Sequence, residues 1–328
     1  MPEQPQRSPS PPAAAPAGRR PVVTVPDDRW LDPWEGAAAP DGIEVRPWDP
    51  AQPPPVPVEA VEFVVLPYMQ PRPVLDRLGD LPGLRVVQTL TAGYDGVLEA
   101  LPPGVALATA AGVHDSSTAE LAVGLTIGAL RGFGDFVRDG TQGRWDGSTR
   151  PALADRRVLL IGAGSVGSAI AARLAPFEVA LTRVATRARD DEYGRVHGVD
   201  ELPALLPHQD VVILAVPLTD GTRGLVDAAF LAALPDGALV VNVARGPVVD
   251  TGALVAELAT GRLSAALDVT DPEPLPPEHP LWRLPNALIS PHVGGNTTAF
   301  PPRARALLRD QLERFAAGRP LRNVVHEG

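Results

Sequence analysis

Short apolar runs alternate with amphipathic or polar stretches along most of the chain. PVVTV (21–25), AVEFVVLP (60–67) and LRVVQTL (84–90) are rich in β-branched residues and have the length of buried parallel strands. VLDRLGDL (74–81), between the last two, has helical spacing. Further on, RVLLIG (157–162), VALTRVAT (179–186), VVILAVP (211–217), GALVVNVA (237–244), SAALDVT (264–270) and NALISPH (286–292) repeat the strand pattern. Turns or helix-like segments such as SVGSAIAARLA (165–175) separate them, and PRARALLRDQLERFAAG (302–318) is a strongly amphipathic terminal helix. Strands alternating with helices predict an α/β fold with a doubly wound parallel sheet.

Two segments fit this alternation less simply. Ser117-Thr118-Ala119-Glu120 has the S-x-x-E form of a capping box and predicts a helix from there to about Leu130. GFGDFVRDGTQGRWDGSTRP (132–151) is polar and Gly-rich, and its pattern is neither helix nor strand over most of its length. Its isolated Trp145 reads either as the one buried ring of a surface loop or as part of an arm that packs on something else.

Composition narrows the class. A chain of 328 residues with 45% hydrophobic residues is long enough for two domains with real cores. A net charge of −10 argues against nucleic acid as the main partner, because phosphate binding needs a basic surface. With no cysteine there are no disulfides and no thiolate metal site, and no metal is expected. No apolar run reaches membrane-span length, and the Pro-rich start lacks the apolar middle of a signal peptide. Residues 1–19 are expected to be a disordered tail, and a cytoplasmic location is the default.

Gly162-Ala163-Gly164-Ser165-Val166-Gly167 is G-x-G-x-x-G, directly after a strand and opening a helix, the context in which the motif binds a dinucleotide. Gly162 permits the tight turn, Gly164 lets backbone approach a pyrophosphate, and Gly167 lets helix and strand pack closely. The helix N-terminus then offers N–H groups and a positive dipole end to the phosphates. An enzyme for NAD would place a carboxylate near the end of the next strand to hold the ribose 2′-OH. Here that place reads Thr186-Arg187-Ala188-Arg189. Two cations and a hydroxyl would attract a 2′-phosphate, so NADP(H) is expected over NAD(H). Two other readings stay open: a solvated basic turn, or a shifted register in which Asp190 or Asp191 is the ribose acid.

Three segments near the ends of later strands carry candidate chemistry. VVNVARGPVVD (240–250) gives Arg245, ALDVTDPEPLP (266–276) gives Asp268 and Glu273, and ISPHVGG (289–295) gives His292. Ligands of open α/β sheets bind outside the carboxyl ends of strands, so these groups can converge. A guanidinium can clamp the carboxylate and carbonyl oxygen of a 2-oxo acid, and an imidazolium can protonate that oxygen while hydride arrives from nicotinamide. A carboxylate on the other ring nitrogen orients the imidazole and favours its protonated form. Each residue alone has a dull explanation, whether a salt bridge, an exposed turn or a structural histidine, and the chemistry rests on the combination.

On these motifs the chain resembles the D-isomer-specific 2-hydroxyacid dehydrogenases, most nearly the glyoxylate/hydroxypyruvate reductases, over roughly residues 60–320. The resemblance implies Arg245 for substrate binding, Glu273 for orienting the histidine, and His292 as acid and base, with Asp268 at the nicotinamide carboxamide. Val243 and Ala244 beside Arg245, and Gly294 and Gly295 beside His292, are implied cofactor contacts. TLTAGYD (89–95) resembles the turn whose N–H groups receive the substrate carboxylate, which puts Thr91, Ala92, Gly93 and Tyr94 at the substrate. AGVHDSSTAE (111–120) resembles the hinge, with Thr118 near the nicotinamide, and AVPLTDGTRGL (215–225) implies contacts from Val216, Pro217 and Thr222. GRW (143–145) resembles part of a dimer arm, so residues 132–151 are expected to reach a second subunit of a homodimer.

The family fold implies a Rossmann cofactor domain, 118–297, and a flavodoxin-like substrate domain, 20–117 with 298–328, closing about the hinges to exclude water. The expected reaction is reduction of a small 2-oxo acid by a reduced nicotinamide cofactor, with side chains such as Leu90, Tyr94 and Trp282 shaping the choice of acid. Two alternatives are a phosphite dehydrogenase-like oxidoreductase, whose substrate turn carries a lysine where this chain has Ala92, and a non-catalytic NAD(P)-sensing protein of the same fold. One departure from the family is Glu178, which follows Pro176-Phe177 where a glycine is usual, and it leaves the end of the second strand and the register of Arg187 open.

Overall fold

Valine-rich runs build the first sheet. In this computed structural model, which describes residues 20–31, 34, 36, 39–49, 52–54, 56–69, 72–191 and 193–328, the expected tail at 1–19 lies outside the described residues. The strands β1 (Val22–Val25), β2 (Glu44–Pro47), β3 (Val61–Val65), β4 (Val86–Gln88) and β5 (Ala106–Ala108) pair in parallel in the order β5–β4–β3–β1–β2. A C-terminal strand, Val324–His326, adds to β5 in the antiparallel sense. Parallel strands need both faces covered, which is why β1 is apolar at nearly every position. The terminal helix Phe300–Ala316 supplies one cover, burying Phe300, Ala304, Leu308, Leu312 and Phe315 on one face against Val23, Val25 and Phe63. The helical spacing of 74–81 emerges as a 3-10 helix, Arg72–Asp80, that buries Leu75 and Leu78 three positions apart. Leu90, expected to shape a substrate pocket, is 1% exposed and packs in this core instead.

The second sheet begins after two helices, α1 (Asp115–Arg131) and α2 (Phe133–Thr141). Its strands are β6 (Arg157–Ile161), β7 (Ala180–Ala185), β8 (Arg189–Asp191), β9 (Gly194–Gly198), β10 (Val211–Leu214), β11 (Leu239–Asn242), β12 (Ser264–Leu267) and β13 (Ala287–Ile289). They lie in the order β13–β12–β11–β10–β6–β7–β9–β8, parallel except for β8. Alternate residues of β6 serve opposite faces. Val158 and Leu160 pack with α1 and with α3 (Ser165–Leu174), while Leu159 and Ile161 join the cluster of Phe230, Leu254 and Leu258. The described residues divide into two compact units, those up to Val113 with Thr298–Gly328, and His114–Thr297.

Several expectations are corrected here. Helix α1 starts at Asp115 with His114 as its N-cap and no side-chain cap, so Ser117 and Glu120 form no capping box. Ser117 is instead buried, its hydroxyl 2.9 Å from that of Thr297, and tertiary packing overrides the local capping pattern. The segment 132–151 is helical over Phe133–Thr141, where Asp135 bonds with Arg138 one turn on. Trp145 is 97% exposed, so it is not the buried ring of a loop. The β8–β9 hairpin was not expected at all, because RDDEYGRVHG is too polar to read as strand. No helix among the described residues is long and apolar enough to cross a membrane.

Candidate active site

The dinucleotide motif folds as its spacing requires. Gly162 follows β6 with φ +117°, and a Cβ there would stand 2.3 Å from Ala215 O, while one at Gly167 would stand 2.0 Å from Gly162 O. Those two glycines are demanded by packing of the loop on β10 and of α3 on β6. Gly164 is different: a Cβ there meets nothing within 4 Å. It leaves open space in front of α3, whose first residues Ser165 and Val166 present helix N-terminal N–H groups.

That space is a cavity of about 500 Å3 at the carboxyl ends of β6, β7 and β10, the point where the strand order reverses. Gly162–Gly164 form its floor, and Thr186, Arg187, Arg189, Val216 and Pro217 line it. Arg189 Nη2 donates to Ala163 O at 3.1 Å, which draws the guanidinium to the glycine loop. Thr222 holds the loop after β10, its hydroxyl donating to Pro217 O at 2.6 Å. An open glycine cradle, a helix N-terminus and two cations suit the phosphates of a dinucleotide.

The uncertain register after Pro176-Phe177 has a structural answer. Glu178 takes φ +58°, the left-handed conformation that a glycine takes most easily. The turn is therefore kept with a different residue, β7 ends at Ala185, and Thr186 and Arg187 lie directly beyond it. Asp191 is ion-paired with Arg183, with both carboxylate oxygens engaged.

Three loops on the other half of the same sheet carry the candidate chemistry. Asn242, at the end of β11, folds the first: its side chain donates to Arg245 O and accepts from Ala244 N–H, each at 3.0 Å. Val243 and Ala244 are buried in this turn, and Arg245 Nη1 donates to Ala244 O at 2.7 Å. Gly246 packs the turn against the backbone of Thr270 and Asp271, on the loop that leads to Glu273.

Asp268 folds the loop after β13. It is 3% exposed, and its carboxylate accepts from Ser290 Oγ at 2.6 Å and from the N–H groups of Val293 and Gly294 at 2.9 Å each. The His292 N–H donates to Asp268 O at 2.8 Å. These bonds hold His292 at φ +51°, a conformation that costs a non-glycine residue about 1–3 kcal/mol and persists where surrounding structure enforces it. Thr118 lies beside Gly294, and Gly295 O is 3.2 Å from His114 Nδ1.

His292 Nδ1 and Glu273 Oε1 are 2.5 Å apart. Burial pushes the Glu273 carboxyl up, but it is outweighed by the hydrogen bond from His292, the charge of that ring, the Thr270 N–H and the charge of Arg245, so the group sits below the usual carboxylate range. An ionised carboxylate can only accept, so Nδ1–H is the donor and Nε2 is left for other work. Arg245, Glu273 and His292 are thus brought together by the structure, with Asp268 directly behind the histidine.

The substrate turn expected at 91–94 follows β4 in the other unit. Thr89 Oγ1 donates to Thr91 O and Thr91 Oγ1 to Gly93 O, each at 2.6 Å, and Ala110 N–H donates to Thr91 O at 2.9 Å. Two carbonyls that would repel an anion at Ala92 and Gly93 are therefore occupied. Tyr94 is 36% exposed, and Trp282, 49% exposed, donates from Nε1 to Pro276 O. Sequence reasoning missed Asn242, Ser290 and His114, the residues that shape these loops. A polar residue closing the apolar run VVN is the signal that would have found Asn242.

Comparison with known proteins points one way. The family model for "D-isomer specific 2-hydroxyacid dehydrogenase, NAD binding domain" matches residues 123–294. A glyoxylate reductase of Thermofilum pendens is 35% identical over 227 residues, 66% of this chain and 67% of that protein. The human glyoxylate reductase/hydroxypyruvate reductase is 32% identical over 274 residues, 77% of this chain and 82% of that protein. Among solved structures, a D-isomer specific 2-hydroxyacid dehydrogenase of Xanthobacter autotrophicus, in complex with NADPH, superposes with TM-score 0.79 at 30% identity, covering 94% of this chain and 99% of that one. The NADPH-dependent glyoxylate/hydroxypyruvate reductase of Sinorhizobium meliloti, with NADP and malonate, gives 0.78 at 29% identity, covering 94% and 97%.

Proposed function

The chain belongs to the D-isomer-specific 2-hydroxyacid dehydrogenase family and is an NAD(P)-dependent oxidoreductase, and from that premise we propose that it reduces glyoxylate, hydroxypyruvate or a similarly small 2-oxo acid to the D-2-hydroxy acid, preferring NADPH. The observation that carries the reading is the 2.5 Å contact between Glu273 and His292, on a loop held by a buried carboxylate. Bound nicotinamide supplies the hydride to the carbonyl carbon. His292 supplies the matching proton from Nε2 to the carbonyl oxygen, so that oxo acid, hydride and proton give the hydroxy acid. Glu273 keeps the ring fixed through Nδ1–H and stabilises its positive charge before transfer. Arg245 draws electron density toward the carbonyl oxygen and binds the substrate anion.

The N–H groups of Ala92 and Gly93 are assigned to the substrate carboxylate, supported by the occupied carbonyls of Thr91 and Gly93. Gly162, Gly164, Ser165, Val166, Gly167, Val216 and Pro217 would hold the pyrophosphate and adjoining sugar, and Thr186, Arg187 and Arg189 the 2′-phosphate. Thr118, Val243, Ala244, Asp268, Gly294 and Gly295 are assigned to the nicotinamide side. Residues 132–151 are proposed as a dimer arm, supported by the exposure of Phe133, Phe136, Val137 and Trp145, apolar surface that a second copy would cover.

The test is initial-rate kinetics with NADPH and NADH over glyoxylate, hydroxypyruvate, pyruvate and longer 2-oxo acids. Fastest turnover of one of the first two, with NADPH, is expected. No substrate-dependent cofactor oxidation across the panel would defeat the enzyme reading.

A further inference from the structure

We propose that the ion pair between Arg183 and Asp191 is a clamp that fixes the segment carrying Arg187 and Arg189, and thereby sets discrimination between NADP(H) and NAD(H). The proposal rests on the reading of those arginines as 2′-phosphate ligands and assigns the residues that hold them in place.

Arg183 lies within β7 with its side chain 4% exposed, an unusual place for a cation, since an unpaired buried charge costs several kcal/mol. Its partners among the described residues are all on the hairpin. Nη1 donates to Asp191 Oδ2 at 2.9 Å, and Nη2 donates to Asp191 Oδ1 at 2.6 Å and to Gly194 O at 3.0 Å. The guanidinium also lies 5.7 Å from the centre of the Tyr193 ring. The three partners are the end of β8, the turn and the start of β9, so one side chain staples the whole hairpin to the strand that precedes it.

The consequence falls on residues 186–188. That short span leaves β7 at Ala185 and enters β8 at Arg189, which pairs with Val196 of β9, itself opposite Arg183 on β7. With both ends anchored, the span has little freedom, and Arg187 and Arg189 line the cavity over the glycine loop. A three-residue edge strand cannot hold itself in register without such an anchor.

The clamp also removes an obstacle. A carboxylate close to Arg189 would compete for it and repel a 2′-phosphate. Arg183 binds both oxygens of Asp191 and, by that hydrogen bonding, holds the acid below the usual carboxylate range, with the Tyr193 N–H and the charge of Arg189 adding to the effect. Loss of the clamp would free the hairpin and release this acid beside the arginines.

The test is equilibrium binding of adenosine 2′,5′-bisphosphate and of 5′-AMP, ligands that differ only in the 2′-phosphate and need no turnover. They are titrated into the wild type, Asp191→Asn, and Arg183→Met/Asp191→Asn. The double variant leaves no buried unpaired charge, so it decides the case if Asp191→Asn fails to fold. The wild type is expected to favour the bisphosphate, and both variants to lose about fivefold or more of that preference while 5′-AMP affinity holds. An unchanged ratio in the folded double variant, or equal weakening of both ligands, overturns the clamp. A wild type with no preference defeats the NADP(H) reading itself, and the clamp with it.

Discussion

The two halves of the eight-stranded sheet hold their charged groups by different means. Beyond β11, β12 and β13 the fixing bonds run largely from a side chain to backbone: Asp268 takes the N–H groups of Val293 and Gly294, and Asn242 brackets Arg245. Beyond β7 the fixing bonds run between side chains across a hairpin, from Arg183 to Asp191. The first arrangement is stiff, because displacing any member leaves buried backbone groups unsatisfied. The second is adjustable, since on the proposed reading one substitution on a polar hairpin would change whether the cavity favours a 2′-phosphate and leave His292 and Glu273 untouched. A fixed acid–base geometry sits well on the first kind of support, and a tunable ligand preference on the second.

The largest effect that separates the halves is expected from His292→Ala. Removing a proton donor that acts in the transition state should lower kcat by about 10^2–10^4-fold, while the NADPH Kd stays put. Turnover and a fluorescence titration measure the two quantities. A loss confined to cofactor affinity would move His292 out of its assigned role. Next in size is Asp268→Ala, which strands the N–H groups of Val293 and Gly294. Each orphaned buried donor costs about 1–3 kcal/mol, so the melting temperature and kcat should fall together as His292 loses its enforced backbone. A variant with a wild-type melt and full turnover would contradict the stiff arrangement.

Third is Arg187→Ala with Arg189→Ala. A charge-assisted hydrogen bond contributes about 1.5–3 kcal/mol, so NADPH affinity should drop by about tenfold or more, with NADH nearly unaffected. Equal losses for both cofactors would reduce the arginines to general phosphate contacts. Titration of Asp191 gives a smaller contrast. Its folded value is depressed, so its contribution is present above the unfolded value and is lost as pH falls through the folded one, from about pH 5 downward. Hydrogen exchange, corrected for intrinsic rates, should show residues 189–198 losing protection on acidification in the wild type more than in Asp191→Asn. The same acid-induced loss in both would mean that Asp191 does not hold the hairpin.

Most of the fold was legible because buried parallel strands announce themselves as β-branched runs, and each such run from RVLLIG to NALISPH contains a strand. The convergence of Arg245, Glu273 and His292 was legible because each lies at or just beyond the end of such a run, where the sheet geometry brings loops together. What was missed depends on partners outside the window being read. Nothing local in RDDEYGRVHG marks a hairpin, since its stability comes from Arg183 on a strand already read as apolar. Ser117 looked like a cap, but its hydroxyl meets Thr297, 180 positions away. The burial of Leu90 and the exposure of Trp145 were not legible for the same reason, as burial is a property of the assembled unit and not of the window.

The smallest expected effect concerns the turn that feeds β7. Glu178 sits at φ +58° with its carbonyl accepting from Asp155 N–H at 3.0 Å, so the turn is anchored by backbone and its side chain is incidental. A left-handed L-residue costs about 1–2 kcal/mol, partly returned by the entropy a glycine loses on folding. Glu178→Gly should therefore raise stability by about 1 kcal/mol or less, seen in urea unfolding as a higher midpoint at constant slope. The preference for adenosine 2′,5′-bisphosphate over 5′-AMP should not move, because the register beyond β7 is set at the hairpin. A shift in that preference would mean that the turn at Glu178 also positions Arg187, and the division between a stiff half and a clamped half would have to begin one element earlier.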